Sequence, residues 1–240
     1  MKFTEILKRK TNDNFGNRAP VIAFIGSSIT QGCFEIYEDG EMIKAVFDSC
    51  SAYPDKVKRI LSILYPQAPV SIVNMGINGG AAPGGLERFQ EDVVSCNPDL
   101  LVIDYALNDS HQEEPGIPAY KNTLKQIFRE AKKANIETIF MTPNMMNTYT
   151  SHIIKGEICE TLAEKFAIRQ TNGVFDAYID AAREACKEEG VKLCDCYAIW
   201  KRMYESGVDT TSLLSNGLNH PIREMHYLFA WELVKTILND

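Results

Sequence analysis

Short unbroken apolar runs alternate along the chain with longer stretches whose apolar positions recur every three or four residues. The runs Val21-Ile22-Ala23-Phe24-Ile25, Val70-Ser71-Ile72-Val73, Leu100-Leu101-Val102-Ile103 and Thr138-Ile139-Phe140-Met141 predict strands, and Val191-Lys192-Leu193-Cys194 predicts a weaker fifth. All are continuous rather than alternating, as expected of parallel strands covered by helices on both faces. Helical spacing marks Val57-Ile60-Leu61-Leu64, Leu124-Ile127-Phe128-Ala131 and Ile158-Leu162-Phe166. It returns at Tyr178-Ala181-Ala182-Ala185 and Leu228-Trp231-Val234-Ile237-Leu238. This order predicts an α/β protein, a three-layer α/β/α sandwich around an open five-stranded parallel sheet.

One stretch breaks the rhythm. Residues 34 to 47 alternate around Asp39-Gly40, the signal of a hairpin with a type I′ turn. An inserted hairpin over 33–49 can wall a pocket, contact a second copy of the chain, or simply decorate the surface.

A length of 240 residues suits one large domain, taken here as 1–240, better than two small ones. The net charge of -7 opposes a phosphate backbone, so nucleic acid is not an expected partner. No apolar run approaches the roughly 20 residues that span a bilayer, so no membrane partner is expected either. The N-terminal MKFTEILKRKTNDN lacks the apolar stretch of a signal peptide. Seven cysteines, an odd number without framework spacing, favour a reducing, cytoplasmic setting.

In an open parallel sheet, ligands bind beyond the carboxyl ends of the strands. Three such ends carry small polar segments: Gly26-Ser27-Ser28-Ile29-Thr30-Gln31-Gly32, Asn74-Met75-Gly76-Ile77-Asn78-Gly79-Gly80 and Tyr105-Ala106-Leu107-Asn108-Asp109-Ser110. Acyl transfer needs a hydroxyl nucleophile, a base, and donors aimed at a developing oxyanion. Ser28 can be the nucleophile, the glycines let backbone approach closely, and Asn108 can add a side-chain N–H. Taken singly, each segment is more often a turn or helix cap. Their coincidence at successive strand ends is the signal.

The base is one of four histidines. His152 has no evident partner, and His226 lies in the terminal amphipathic helix, a structural position. His111 closely follows Asn108-Asp109 and competes. His220, in Asn216-Gly217-Leu218-Asn219-His220-Pro221, is favoured because Pro221 suits a first helical turn and would present the imidazole at a loop-to-helix junction.

These segments resemble, in order, the conserved blocks of the SGNH hydrolases, the GDSL esterase/lipase family. Gly26-Ser27-Ser28-Ile29-Thr30 is similar to the first block, which makes Ser28 the nucleophile. Asn74 through Gly79 resembles the second, implying an oxyanion role for the Gly79 amide, with Gly76 as fallback. Ala106-Leu107-Asn108-Asp109 resembles the third and makes Asn108 the side-chain oxyanion donor, beside the Ser28 amide. Asn216 through Pro221 resembles the block that carries the catalytic histidine, His220. The resemblance implies a flavodoxin-like sheet and neither metal nor organic cofactor.

Two departures stand out. Ser27 replaces the aspartate that precedes the nucleophile. Gly217 occupies the place, three residues before the histidine, where the family has an orienting aspartate. The expectation is a Ser28–His220 dyad in which Asn216, or nearby backbone, accepts the Nδ1 proton; Asp209 folding in from a distance is the alternative.

The substrate class implied is a short acyl ester, such as an acetylated saccharide, whose sugar face Phe34, Tyr37 or Phe47 could stack upon. The competing reading is a catalytically impaired carbohydrate-binding module. A phosphate-binding domain is disfavoured, because no P-loop lysine or Gly-x-Gly-x-x-Gly spacing is present. Cys194-x-Cys196 lacks two further ligands for a metal and reads as packing. A homo-oligomer is an open possibility.

Overall fold

The computed structural model describes residues 1–239. Five strands form the main sheet: β1 (Val21–Gly26), β4 (Ser71–Gly76), β5 (Leu100–Asp104), β6 (Glu137–Met141) and β7 (Lys192–Cys194). All neighbouring pairs are parallel, in the order β4-β1-β5-β6-β7. The strands expected from the apolar runs are therefore present, each within three residues of its expected bounds. Between them lie β2 (Cys33–Asp39) and β3 (Met42–Phe47), which pair antiparallel as a separate two-stranded sheet.

Continuous apolar runs and burial coincide at the centre. Every residue of β5 is buried, and β1 is buried from Ile22 onward, whereas β4, at the sheet edge, alternates partly and fully exposed positions. Helices α3 (Tyr53–Leu64) and α9 (His226–Leu238) pack together on one face, joined by α1 (Phe3–Asn12). On the other, α4 (Ala82–Glu87) packs on α5 (Glu113–Lys133), α5 on α7 (Val174–Glu189), and α7 on α6 (Glu157–Thr171). Lys121 bridges to Glu184 and Glu188, and Lys125 to Glu188, along the exposed seam between α5 and α7. Buried side chains run as one cluster from Phe3 to Ile237.

Four α-helices lacked a sequence signature, α4 among them. α1 and α8 (Cys196–Glu205) are short and bury few side chains, and α2 (Ser28–Gln31) is a single turn. The hairpin is present, but its turn is shifted by one residue. Asp39 pairs with Met42, so Gly40 and Glu41 form the loop. Gly40 has φ 64° and Glu41 keeps a negative φ, whereas a type I′ turn needs positive φ at both positions.

Numbered along the main sheet, the strand order is 2-1-3-4-5. It reverses between β1 and β5, so the crevice at their carboxyl ends is where a ligand fits. Ser28 follows the first of these strands and Asn108 the second.

Candidate active site

Gly26 ends β1 where a side chain has no room. An added Cβ would lie 2.8 Å from the Asp104 carbonyl oxygen and 2.3 Å from the Thr30 hydroxyl. The chain therefore turns tightly, and Ser28 becomes the first residue of the one-turn helix α2. The amide at that position has no partner within its own helix. Gly32 closes the turn at φ 94°, directly against the backbone of Asp48 and Ser49.

The second loop locks onto this turn. Asn74 donates to the Thr30 carbonyl at 2.7 Å and accepts the Gly76 amide at 3.0 Å. The Ile77 amide donates to Gly26 O, the Asn78 amide to Gln31 Oε1 and the Gly80 amide to Ile77 O. With these four amides spent, Gly79 is the one that can serve a ligand, and Gly76, the fallback, is committed to Asn74. Gly79 is exposed, sits at φ 76°, and nothing lies within 4 Å of where its Cβ would be.

Asn108 donates one side-chain hydrogen to the Gly80 carbonyl at 2.8 Å, and the amide carries a second. Next to it, Asp109 accepts the Ala82 amide at 2.8 Å, so the second and third loops are tied twice. Asp109 is buried, which pushes its carboxyl up to about 6.

His220 Nε2 lies 2.8 Å from Ser28 Oγ, across 192 positions of sequence. Its Nδ1 lies 2.9 Å from the main-chain oxygen of Phe34, in β2. A carbonyl can only accept, so Nδ1 carries the proton and donates it, leaving the Nε2 lone pair to accept the Ser28 hydroxyl. Both side chains are buried. Burial pushes the imidazole down to about 4, against smaller upward contributions from the Phe34 carbonyl and Glu35.

The acceptor is thus backbone, but not the backbone of the closing loop, and it is not Asn216. Asn216 Oδ1 takes the amides of Leu218, Asn219 and His220 at 2.9 to 3.0 Å, while its Nδ2 donates to Asn219 Oδ1. Its side chain is consumed in shaping the turn that presents His220. Asp209 is also elsewhere, exposed and bonded to the Tyr149 hydroxyl at 2.7 Å. Pro221 does not open a helix. It bridges to Leu214, and α9 begins only at His226.

The other histidines stand apart. His111 packs on Phe166, His152 is exposed, and His226 is fully buried, accepting the Tyr53 amide through Nδ1. Phe34 is buried as well, so it is no sugar platform; Tyr37 and Phe47 are about half exposed. Its functional atom is a main-chain oxygen, for which a sequence carries no marker. Cys194 and Cys196 place their sulfurs 3.7 Å apart in the core. Among the described residues, no group of three His, Cys, Asp or Glu side chains is arranged to hold a metal ion, and no helix is long and apolar enough to cross a membrane.

Sheet order and switch-point loops place the chain in the class of flavodoxin-like α/β/α hydrolases. More particularly, residues 24–228 match the GDSL-like lipase/acylhydrolase family, and the chain belongs to that family of ester hydrolases. A curated relative, the acetylxylan esterase of Geobacillus stearothermophilus, is 28% identical over 131 residues. That match spans 51% of this chain and 58% of the relative. A solved structure of a mutant acetyl-xylooligosaccharide esterase from Geobacillus superposes with a TM-score of 0.68 at 21% identity, covering 92% of this chain and 95% of the other. A putative GDSL-like lipase from Parabacteroides merdae gives 0.69 at 18% identity, covering 92% and 96%. For the Geobacillus esterase, forms with serine or aspartate changed to alanine are both described as catalytic mutants.

Proposed function

We propose that the chain is a serine esterase acting on short acyl esters of a carbohydrate, acetyl above all. Ser28 attacks the ester carbonyl while His220 Nε2 takes its proton. The negative oxygen that forms is held by the amides of Ser28 and Gly79 and by the free N–H of Asn108. The imidazolium then protonates the departing alcohol, and water releases the acyl group by the reverse path. The unbroken line from Ser28 Oγ through His220 to the Phe34 carbonyl carries this reading. It also answers the departure in the closing motif, since the tautomer is fixed without a carboxylate.

Substrate class rests on the relatives named for acetylated xylan and its oligosaccharides. A cavity of about 460 Å³ beside Asn216, lined by Glu35, Glu38 and Lys155 together with Ile36, Ile153 and Ile154, offers an alcohol both polar and apolar contacts. A binding module that has lost turnover is the weaker reading, because the hydroxyl and imidazole stand in reacting geometry. A fluorophosphonate probe should label Ser28, and acetyl through octanoyl nitrophenyl esters, run beside acetylated sugars, should show fastest turnover on acetyl. Esterase activity that survives Ser28→Ala would overturn the assignment.

A further inference from the structure

The Phe34 carbonyl reaches the imidazole because β2 is irregular. Cys33 pairs with Phe47, but the next pair is Ile36 with Ala45, so β2 holds one extra residue there. A bulge of this kind re-aims the backbone, and a bulged segment is held less firmly by its own ladder. Something else has to fix it. The Phe34 ring is buried between the His226 ring, 4.9 Å away, and the Arg223 guanidinium, 4.3 Å from the ring centroid. Arg223 also grips both legs of the hairpin. It forks onto Glu35 at 2.5 and 3.1 Å and bonds Asp48, just past β3, through Nε at 3.1 Å. It stands three residues beyond His220, so one side chain ties the acceptor's segment to the base's own loop.

We propose that Arg223 is a positioning residue for the proton relay: it clamps the Phe34 carbonyl against His220 Nδ1 and holds Glu35 nearby as the anion that a carboxylate in the closing motif would otherwise supply. This rests on the Ser28–His220 reading of the site. A guanidinium suits the task because its planar fork matches a carboxylate while its face stacks on an aromatic ring, and lysine can do only part of this. Glu35 of the hairpin acts on the His220 imidazole, while Asp48 of the hairpin, Arg223 and Lys56 of α3 act on the neighbouring His226 imidazole. Glu35 favours the His220 imidazolium, as does the Phe34 carbonyl.

The clamp and the anion act on the base in the same direction, so the turnover rate separates them. With nitrophenyl acetate as probe, Arg223→Gln should lower kcat on the order of tenfold or more with little change in KM, since orientation rather than binding is lost. Arg223→Lys should recover part of that loss. The acid limb of the kcat/KM profile should move down in Arg223→Gln, which releases both the Phe34 carbonyl and Glu35, and down in Glu35→Gln, which removes the anion. Glu35 is partly exposed, so that variant should keep the wild-type melting temperature and circular dichroism. Wild-type kcat and an unmoved acid limb in both variants overturn the proposal, as does a limb that moves up in Arg223→Gln. Fluorophosphonate labelling of the wild-type protein separates the two levels. If Ser28 is labelled but Arg223→Gln is labelled at an equal rate, the clamp alone fails. If Ser28 is not labelled and Ser28→Ala keeps turnover, the reading of the site fails with it.

Discussion

At the residue scale, the environment of His220 sets when it could act as the proposed base. His220 must be neutral to accept a proton, and burial holds it near 4 instead of the usual 6.5. The acid limb of kcat/KM in the wild-type protein should therefore fall well below pH 6.5, towards pH 4, in a pH–rate profile. Asn108, the proposed side-chain oxyanion donor, ties its loop through one hydrogen and has a second to give. Asn108→Ala should cost about a hundredfold to a thousandfold in kcat on nitrophenyl acetate. Asp209, bonded to Tyr149 far from the imidazole, has no such part, and Asp209→Asn should leave kcat unchanged.

At the scale of elements, the site is an assembly of turns that fix one another. Gly76 shows how closely: a Cβ there would lie 2.3 Å from the Gln31 backbone nitrogen, between β4 and α2. Gly76→Ala should destabilise by about 1 to 3 kcal/mol, read as a lowered urea midpoint, because backbone rather than a flexible side chain must yield. The parallel strands and main helices were legible beforehand because continuous apolar runs and 3.6-residue spacing report burial directly. The hairpin was legible as well, but neither its one-residue shift nor its bulge was, since register depends on which partner residues meet. Pro221 misled for a related reason: its fixed φ suits the start of a helix and an isolated bridge alike, and Leu214 decided which.

At the scale of the whole molecule, four buried groups set opposing pH dependences. His220, near 4, and His226, near 3, lie below the unfolded value of 6.5. As pH falls from 6.5 towards 3, the unfolded chain takes up their protons first, and the fold loses stability. Asp104, raised by burial to about 7, and Asp109, at about 6, lie above the unfolded 3.8. Between about 4 and 7 the folded chain keeps protons that the unfolded chain has shed, so these two lose stability as pH rises. The effects oppose one another across the shared window. Asp104→Asn removes one term, so its melting temperature relative to wild type should rise from pH 5 to pH 8. An unchanging difference would mean that Asp104 does not titrate as its burial demands.

The sequence alone determined the strand and helix content, the three polar strand ends, and the hydroxyl and imidazole that belong to them. Those properties are local, because burial and turn chemistry leave their mark in residue type and spacing. It could not show that the imidazole's second partner is a carbonyl of Phe34, 186 positions away. Asn216 had the right chemistry and neighbourhood, yet its oxygen was taken by three amides of its own turn. Main-chain atoms are the same at every residue, so only a bulge, a stacked ring and a guanidinium brought together by folding decide which one faces the base.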